Sequence, residues 1–476
     1  MQSHTQRSFI SLLALGVLFV VAQGCASQSL ADQYRVISYR IIESTLEEND
    51  GYQKMQELCD GIGHRLSGSS QLTQAINWAA DAMRADGQDN VRIEPVMVPH
   101  WVRGNESLLM TKPRVAPVVM LGLGRSVGTP EEGITAEVVV VSDEKELEEL
   151  GNGAKGKIVL FNNPMPAYDP QRGAGYGTTV RFRSRGATLA AAQGAVACLV
   201  RSVTAHSLRS PHTGAMNYGD AKVKIPAAAI STEDAAMLAR LQSRGVPIEV
   251  TLKMQAKTLE DAQSGNVIGE IRGSERPEEI IVIGGHIDSW DVGQGAHDDG
   301  TGCVMAMEAI NVLRKLNLRP RRTIRVVLWT NEENGLAGAK QYAADHKAEL
   351  RNHVAAIESD SGGYKPLGYS FECSDEAKLK IAEKQLRDIA KLLKPMGAGR
   401  ITVGGSGADV GPMRDAGVVL MGHRVEGKIY FDYHHTHADT LDKVDPQEFS
   451  QNIAVMATMA YILADMPNRL GEETSK

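Results

Sequence analysis

GGHIDSWDVGQGAHDDGTG, residues 284–302, joins an apolar run at 280–284 to an amphipathic pattern at 302–316. The apolar run has the length of a buried parallel strand, and the pattern after it predicts a helix. Strand-like and helix-like segments then alternate: strands at 323–329, 354–358 and 418–421, helices at 335–350, 375–393 and 446–464. This alternation predicts an α/β fold with a mostly parallel mixed sheet flanked by helices.

The chain before this unit shows a different pattern, which indicates a second, inserted domain. Between 134 and 252, short apolar strands surround an alanine-rich helix at 187–193, and together they suffice for a separate core. We therefore expect the first part of the main domain at 31–115, the inserted domain at 116–258 and the second part of the main domain at 259–470.

The amino-terminal residues 1–25 have the features of a signal peptide. Arg7 precedes an uncharged apolar run at 9–22, and small residues follow it. The run is short for a membrane span of roughly 20 residues and has the length of a signal's hydrophobic region. The segment VAQGC (21–25) is similar to a bacterial lipobox. The sequence predicts export, either as an envelope lipoprotein anchored through Cys25 on the periplasmic side of a membrane or, after ordinary signal cleavage, as a secreted protein.

Composition and charge argue against a nucleic-acid partner. Acidic residues outnumber basic ones by 58 to 51, which gives a formal net charge of −7, and aromatic residues make up only 5% of the chain. Neither phosphate binding nor base stacking is therefore favoured. The clustered Arg181, Arg183 and Arg185 are expected to form a solvated or salt-bridged face of the inserted domain.

Acidic and histidine residues follow the predicted strands of the carboxy-terminal unit. The carboxyl ends of strands in such sheets form the edge at which ligands bind, so residues far apart in the chain would meet there. Imidazole and carboxylate groups are zinc ligands, and two zinc ions need a bridging carboxylate with further ligands on each side. The set that fits two zinc ions is His286, Asp298, Glu333, Asp360 and His435.

Two more carboxylates are suited to act beside the metals. Zinc lowers the pKa of bound water from 15.7 to about 7, and Glu332 is a spare carboxylate that can accept the proton. Asp288, two residues beyond His286, is suited to hold that imidazole through its other nitrogen.

Each motif also has a purely structural interpretation. His286 alone could be a strand-end histidine, Asp298 could belong to a turn or helix cap, and the acids at 332–333 could complement a helix dipole. Their joint occurrence at successive strand ends favours the metal site. The run HHTH at 434–437 leaves the choice of the last ligand open among His434, His435 and His437.

Seven segments carry a family resemblance: GGHIDSWDVGQGAHDDGTG (284–302), WTNEENGLAGA (329–339), ESDSGG (358–363), YHHTHADT (433–440), GIGHRLSGS (61–69), YGTTVRFRSRGATLAAAQGAVACLVRSV (176–203) and GGSGADVGPM (404–413). They resemble the di-zinc exopeptidases of the aminopeptidase type, most closely the carboxypeptidase Q branch. The resemblance covers nearly the whole mature chain and implies a zinc exopeptidase fold. It also implies a homodimer, and it identifies the insert as a protease-associated domain without catalytic residues.

The resemblance assigns roles to the metal-site residues. His286 and Asp360 would bind one of two zinc ions, and Glu333 and His435 the other. Asp298 would bridge the two ions. The family's His-Thr-x-x-Asp pattern favours His435 as the last ligand.

The resemblance also implies residues near the substrate. Several aminopeptidases of this fold have a tyrosine directly before the last ligand, where it stabilises the oxyanion. Here His434 occupies that position and Tyr433 lies one residue further back, so either could be the donor. Ser406 and Asp409 belong to a glycine-rich loop that the family has near its substrate pocket.

The predicted function is zinc-dependent hydrolysis of short peptides, particularly dipeptides with free termini, by a metal-bound hydroxide with Glu332 as general base. Aminopeptidase, carboxypeptidase and dipeptidase action all fit the sequence. Two alternatives are a glutaminyl cyclase-like acyl transferase, which shares the fold and uses one zinc ion, and a non-catalytic receptor-like relative. The complete set of ligands and the base argue against both.

Overall fold

The computed structural model describes residues 29–170 and 172–473. The predicted signal peptide at 1–25, with its lipobox cysteine Cys25, lies outside these residues. In the described part of the chain, no helix combines the length and the apolar character needed to cross a membrane.

Helices form at most of the predicted positions, and polar side chains cap several of them. Ser69 accepts a hydrogen bond from the Leu72 amide, and Asp445 accepts from the amides of Gln447 and Glu448, which satisfies amides that lack a partner within the helix. The helices are α1 (Leu30–Glu47), α2 (Gly51–Cys59), α3 (Ser70–Ala85), α4 (Glu144–Leu150), α5 (Tyr176–Thr179), α6 (Arg181–Ala192), α7 (Thr232–Ser243), α8 (Thr301–Lys315), α9 (Ala337–Asp345), α10 (Glu376–Leu393), α11 (Tyr430–Tyr433) and α12 (Pro446–Asp465).

The strands fall into two large sheets and one short ladder. They are β1 (Asp89–Val98), β2 (Trp101–Val102), β3 (Glu106–Lys112), β4 (Ala116–Val118), β5 (Met120–Gly122), β6 (Ile134–Val141), β7 (Ile158–Phe161), β8 (Ala197–Arg201), β9 (Ala227–Ile230), β10 (Glu249–Met254), β11 (Lys257–Thr258), β12 (Ala262–Ile271), β13 (Arg276–His286), β14 (Arg322–Trp329), β15 (His353–Glu358), β16 (Pro366–Glu372), β17 (Arg400–Val403) and β18 (Val419–Val425).

The first sheet contains the parallel strands that the sequence predicts. Its order is β1-β12-β14-β13-β15-β18-β16-β17. The central strands β14, β13, β15 and β18 run parallel, whereas β12 and β16 are antiparallel to the central strands they pair with. The predicted α/β fold with a mixed sheet is confirmed.

The central strands are apolar on both faces because helices cover both faces. In β13, Ile281 and Ile283 pack into the core formed with α8 and α12, whereas Ile280 and Val282 pack on the other face beside Tyr342 of α9. Parallel strands that are buried on both sides read as continuous apolar runs. Burying each such side chain contributes about 1.5–3 kcal/mol, so these runs both stabilise the sheet and identify it in the sequence.

The second sheet is inserted between β1 and β12, which pair with each other in the first sheet. Its order is β4-β3-β10-β6-β7-β8-β9-β5, with β6 to β9 parallel and α6 and α7 on opposite faces. The expected boundary at residue 116 falls between β3 and β4, which pair with each other. β3 therefore belongs to the inserted sheet, and a short strand with one exposed face gives too weak a pattern to reveal this beforehand.

The inserted unit contacts the unit of the first sheet at several places, two of which lie near the point where the chain enters and leaves the insert. β2 and β11 pair where the chain enters and leaves the insert, through Trp101 with Thr258 and Val102 with Lys257. Trp290, in the loop after β13, packs into a core cluster of the inserted unit. The loop between His286 and Asp298 therefore rests on the insert.

Candidate active site

The five predicted metal ligands converge at the carboxyl edge of the first sheet. His286 ends β13, and Glu333 and Asp360 follow β14 and β15. His286 Nε2 lies 3.2 Å from Asp298 Oδ1 and 3.7 Å from Asp360 Oδ1. His435 Nε2 lies 3.2 Å from Asp298 Oδ2 and 3.1 Å from Glu333 Oε2. Asp298 therefore directs one carboxylate oxygen to each histidine.

The outer nitrogen of each imidazole faces a backbone carbonyl. His286 Nδ1 donates to the carbonyl oxygen of Asp288 at 3.0 Å, and His435 Nδ1 donates to that of Thr213 at 3.2 Å. A carbonyl oxygen can only accept, so in each ring Nδ1 carries the hydrogen and a neutral ring has its lone pair on Nε2. Both lone pairs then point at carboxylate oxygens, which are also acceptors.

Hydrogen-bond acceptors that face one another without a donor between them are expected where a metal ion binds, and the residues can be checked for this property. Asp298 Oδ2 and Glu333 Oε1 are buried without a hydrogen-bond partner in the described structure. The ligand atoms of His286, Asp298 and Glu333 lie within 4.8 Å of one another, as do those of Asp298, His434 and His435. Buried charges are normally paired or bound to metals, and imidazole with carboxylate is a zinc donor set. The residues fit metal ions bound on both sides of Asp298.

The electrostatics of the cluster favour positive charge. Burial lowers the pKa of His435, but the Glu333 and Asp298 carboxylates outweigh burial and raise it to about 10. The pKa of Glu333 is raised to about 7 by burial and by the Asp298 charge. The cluster therefore attracts cations, whether protons or metal ions.

The sequence and the fold match known proteins. Residues 266–460 match the family model described as peptidase family M28. Human carboxypeptidase Q is 43% identical over 89% of this chain and 87% of its own length. Carboxypeptidase Q of Xenopus laevis is 42% identical over 92% of this chain and 91% of its own length.

The chain belongs to peptidase family M28. Among solved structures, an M28 peptidase precursor from Shewanella amazonensis is 35% identical, with a TM-score of 0.86 over 94% of this chain and 100% of that one. A zinc aminopeptidase from Bacillus subtilis shares the fold at 21% identity, with a TM-score of 0.64 over 88% of this chain and 96% of that one. The predicted family is confirmed, and the chain is a metallopeptidase.

In this M28 peptidase, Asp288 positions Glu332 more directly than it positions His286. Asp288 Oδ1 accepts the Glu332 amide hydrogen at 3.0 Å, whereas it lies 3.7 Å from His286 Nδ1, which bonds the Asp288 carbonyl instead. The Asp288 carboxylate therefore does not hold the His286 imidazole as expected. The backbone carbonyl of Asp288 holds it instead. Burial raises the pKa of Glu332 well above its ordinary value, and the Asp360 and Glu333 charges add to this effect.

A cavity of about 850 Å³ opens over the metal-site residues of the M28 unit. Asp298, Glu332, Glu333, Asp360 and His435 line it, together with His434. Burial lowers the pKa of His434 well below its ordinary value, which favours the neutral ring. This ring stacks on that of His435 with centroids 3.5 Å apart.

The structure separates the two residues expected as oxyanion donors. His434 lines the cavity, but Tyr433 is outside its described lining; the Tyr433 ring lies 6.5 Å from that of His297 and beneath Lys443. Tyr430 lines the cavity instead, with its ring 5.1 Å from that of His434. Residues four apart on a helix face the same side, so the one-turn helix α11 brings Tyr430, and not Tyr433, beside His434.

The two loop residues expected near the substrate lie in different surroundings. Ser406 donates to Glu372 at 2.6 Å and lines, with Asp360, a smaller cavity of about 230 Å³. Asp409 is only 1% exposed and is outside the described lining of either cavity. Burial and the neighbouring Glu358 raise the pKa of Asp409 well above its ordinary value, which favours the protonated form.

The inserted unit also contributes to this M28 site, which the sequence did not reveal. Arg181 pairs with Glu144, and Arg185 is exposed, as expected for an outer face. Arg183 differs, because it lines the cavity with Nη1 3.4 Å from His435 Nδ1. Arg183 is half-buried and faces the cavity instead of the outer face, since residues two apart on α6 point in nearly opposite directions.

Proposed function

We propose that the protein hydrolyses short peptides with two zinc ions bound by the residues around Asp298. His286 and Asp360 would hold one ion, Glu333 and His435 the other, and Asp298 would bridge them. The observation that carries this proposal is the convergence of the Nε2 atoms of two imidazoles on buried carboxylates, of which Asp298 Oδ2 and Glu333 Oε1 have no hydrogen-bond partner in the described structure. Zinc ions at these positions would satisfy these acceptors, because imidazole and carboxylate are zinc ligands.

The remaining site residues support roles in proton transfer and substrate binding. When bound, zinc ions lower the pKa of water and polarise a peptide carbonyl. Glu332, held by Asp288 at the cavity wall, takes the proton of the attacking water and passes it to the leaving amine. The position of His434 in the cavity supports it as the oxyanion donor, and Tyr430 offers a hydroxyl group beside it.

Metal content and peptide cleavage together test this proposal. The purified chain should contain two zinc ions and cleave unblocked dipeptides and tripeptides, lose activity with a chelator and regain it with zinc. A single zinc ion with cyclisation of amino-terminal glutamine would instead indicate the acyl transferase. Peptide binding by fully zinc-loaded protein without any cleavage would indicate a receptor-like protein.

The inserted unit is proposed to be a protease-associated domain. The segment at 176–203 carries the resemblance, and the second sheet with its own cores supports a separate unit. Its strands extend from β3 to β10, so we propose Glu106–Met254 as its core. Limited proteolysis should leave this segment intact as one fragment.

Export, lipid attachment and pairing of two chains are proposed from the sequence. The apolar run at 9–22 supports export, and the segment at 21–25 supports a lipid anchor on Cys25. Mass spectrometry of the mature amino terminus distinguishes a lipidated Cys25 from ordinary cleavage. Light scattering measures whether the chain is the homodimer that the family resemblance implies.

A further inference from the structure

Two arginines of the first sheet line the active-site cavity, and none of the proposed catalytic steps uses them. Arg400 lies on the edge strand β17 and Arg424 on β18, and both strands pair with β16, which runs between them. Gly368 of β16 is in register with Arg400 on one side and with Arg424 on the other. Residues in register point to the same face of a sheet. The two arginine side chains therefore share one face.

The space between the two arginines is open because Gly368 has no side chain. Neighbouring strands lie about 4.8 Å apart, so the Cα atoms of Arg400 and Arg424 are separated by about 10 Å. Two side chains as long as that of arginine can converge on one ligand group across this gap. We call the row of Arg400, Gly368 and Arg424 the arginine notch.

No carboxylate of the described residues forms an ion pair with either guanidinium group. Arg424 Nε donates to Ser370 Oγ at 2.7 Å, which orients the side chain and leaves both Nη atoms for a ligand. Arg400 is exposed. Burial lowers the pKa of Arg424, whereas the charges of Asp360 and Glu358 raise it. Asp360 is a proposed zinc ligand, and Glu358 already accepts two backbone amide hydrogens. The notch is therefore a positive wall that an anion from outside the protein can occupy.

The glycine-rich loop after β17 leaves room for the Arg424 guanidinium group. Gly404 lines the cavity, and a Cβ atom added at Gly405 would lie 2.9 Å from Arg424 Nη2. Gly405 also has a positive φ of +74°, a conformation that glycine adopts without strain. Glycine at this position therefore keeps the guanidinium group at the cavity wall.

The order of the strands indicates which part of a substrate reaches the notch. Along the first sheet β14 is followed by β13, β15 and β18, and β16 and β17 complete this side. Glu332, which would pass the proton to the leaving amine, follows β14, whereas Asp360 follows β15 and the notch lies beyond it. The leaving amine therefore departs on the side of Glu332, and the residue that supplies the scissile carbonyl faces the notch.

We propose that the arginine notch binds an acidic side chain of the residue that precedes the scissile bond, so that the protein prefers aspartyl and glutamyl peptides. This inference rests on the proposed peptidase function and names its substrate class. A guanidinium group binds a carboxylate through two parallel charge-assisted hydrogen bonds, and both Nη atoms of Arg424 are available for such a pair. A neutral side chain at this position would leave two cations without an anion.

The test compares L-aspartyl-L-alanine with L-asparaginyl-L-alanine, which have the same termini and nearly the same shape and differ in the charge of one side chain. Wild-type protein should have the higher kcat/KM for the aspartyl peptide. Arg424→Met should lower the ratio of the two kcat/KM values by roughly 10- to 100-fold. Arg400→Gln, at an exposed position, should lower the ratio in the same direction. Arg244→Met, at an exposed arginine of the inserted unit, is the control and should keep the wild-type ratio.

A binding measurement separates this inference from the proposed function. Calorimetry with Glu332→Gln protein measures peptide affinity without turnover, so it gives an answer even if the wild type cleaves neither peptide. Tighter binding of the aspartyl peptide that is lost after adding Arg424→Met supports the inference, and such binding without any cleavage would count only against the peptidase function.

Three results would overturn the inference. Equal affinity for the two peptides would show that the notch does not read the charge of the side chain. A preference that survives both arginine substitutions would assign it to other residues. A preference that appears only for L-alanyl-L-aspartate over L-alanyl-L-asparagine would place the acidic side chain on the leaving residue.

Discussion

Thr213 and His435 exchange two hydrogen bonds between the inserted unit and the metal-site loop. The Thr213 amide donates to the His435 carbonyl at 3.0 Å, and His435 Nδ1 donates to the Thr213 carbonyl at 3.2 Å. His435 has a positive φ of 62°, which places this residue in the left-handed region. The inserted unit therefore orients a proposed zinc ligand, and partners of this kind tune metal affinity.

Replacing His212 should weaken zinc binding. His212 Nδ1 donates to the His434 carbonyl at 2.7 Å, next to the Thr213 contact, and the ring is buried. His212→Ala removes this donor, and we expect roughly 10- to 100-fold lower zinc affinity, measured by competition with a chromogenic chelator. His206→Ala, at an exposed histidine of the same unit, is the control. Equal zinc affinity in the two variants would contradict the prediction.

Glu332→Gln should lower kcat roughly 10²- to 10⁴-fold without loss of zinc, because the amide cannot accept a proton but keeps the shape of the side chain. The Glu332 backbone stays fixed by Asp288. Steady-state kinetics and metal analysis on the same sample give both numbers. A fully active variant that contains two zinc ions would rule out Glu332 as the general base.

Gly214→Ala should displace Arg183, which lines the active-site cavity, and thereby raise KM for short peptides. The new Cβ atom would lie 2.5 Å from the guanidinium carbon, at a position where φ is +138°. Gly219→Ala is the matched control, since Gly219 also has a positive φ, of +51°, but has nothing within 4 Å of its added Cβ atom. Gly219→Ala controls for adding a methyl group at a positive φ, and KM should change only in Gly214→Ala. A KM rise of the same size in both variants would argue against it.

Lys54→Met should destabilise the fold strongly. Lys54 Nζ lies 2.6 Å from Glu308 and 2.9 Å from Asp86, and the Glu308 side chain is 0% exposed. Leaving this buried carboxylate without its cation costs about 3–5 kcal/mol. The exposed pair of Lys315 with Asp50 is the control, and Lys315→Met should cost at most about 1 kcal/mol. Urea unfolding of both variants measures the difference in the free energy of unfolding, and similar losses would refute the prediction.

His346 should stabilise the protein more at acidic than at alkaline pH. Burial lowers the pKa of His346, but the Glu94 carboxylate, 3.0 Å away, outweighs burial and raises it above the ordinary value. A raised folded-state pKa gives stability that is complete below the unfolded value of about 6.5 and is lost as pH rises through the folded value. Urea unfolding of wild type and His346→Gln should therefore differ more at about pH 5.5 than at about pH 9. A difference independent of pH would contradict this.

The convergence of the proposed metal ligands was predictable from the sequence because each signal is local. His286, Glu333 and Asp360 each follow an apolar run that is continuous because its strand is buried on both faces. The rule that ligands gather at the carboxyl ends of parallel strands then places them together. β17 is an edge strand whose residues are mostly exposed, so it has no continuous apolar run that would predict a strand from the sequence.

The contribution of the inserted unit could not be predicted in this way. Thr213 and Arg183 lie 222 and 252 residues from His435 along the chain, in segments without a motif that refers to the metal site. Their contacts depend on how the inserted unit packs on the loop that contains Trp290. The choice between Tyr430 and Tyr433 likewise depends on α11, which is a single turn and leaves little periodic pattern in the sequence.

The ladder of β2 with β11 joins the two ends of the inserted unit side by side. A segment that leaves and rejoins the chain at adjacent positions can be exchanged as one unit without changes in the first sheet. Because this unit contributes Arg183 to the cavity wall and Thr213 to the contact with His435, its exchange would alter the shape and charge of the cavity while the residues at the strand ends of the first sheet stayed the same.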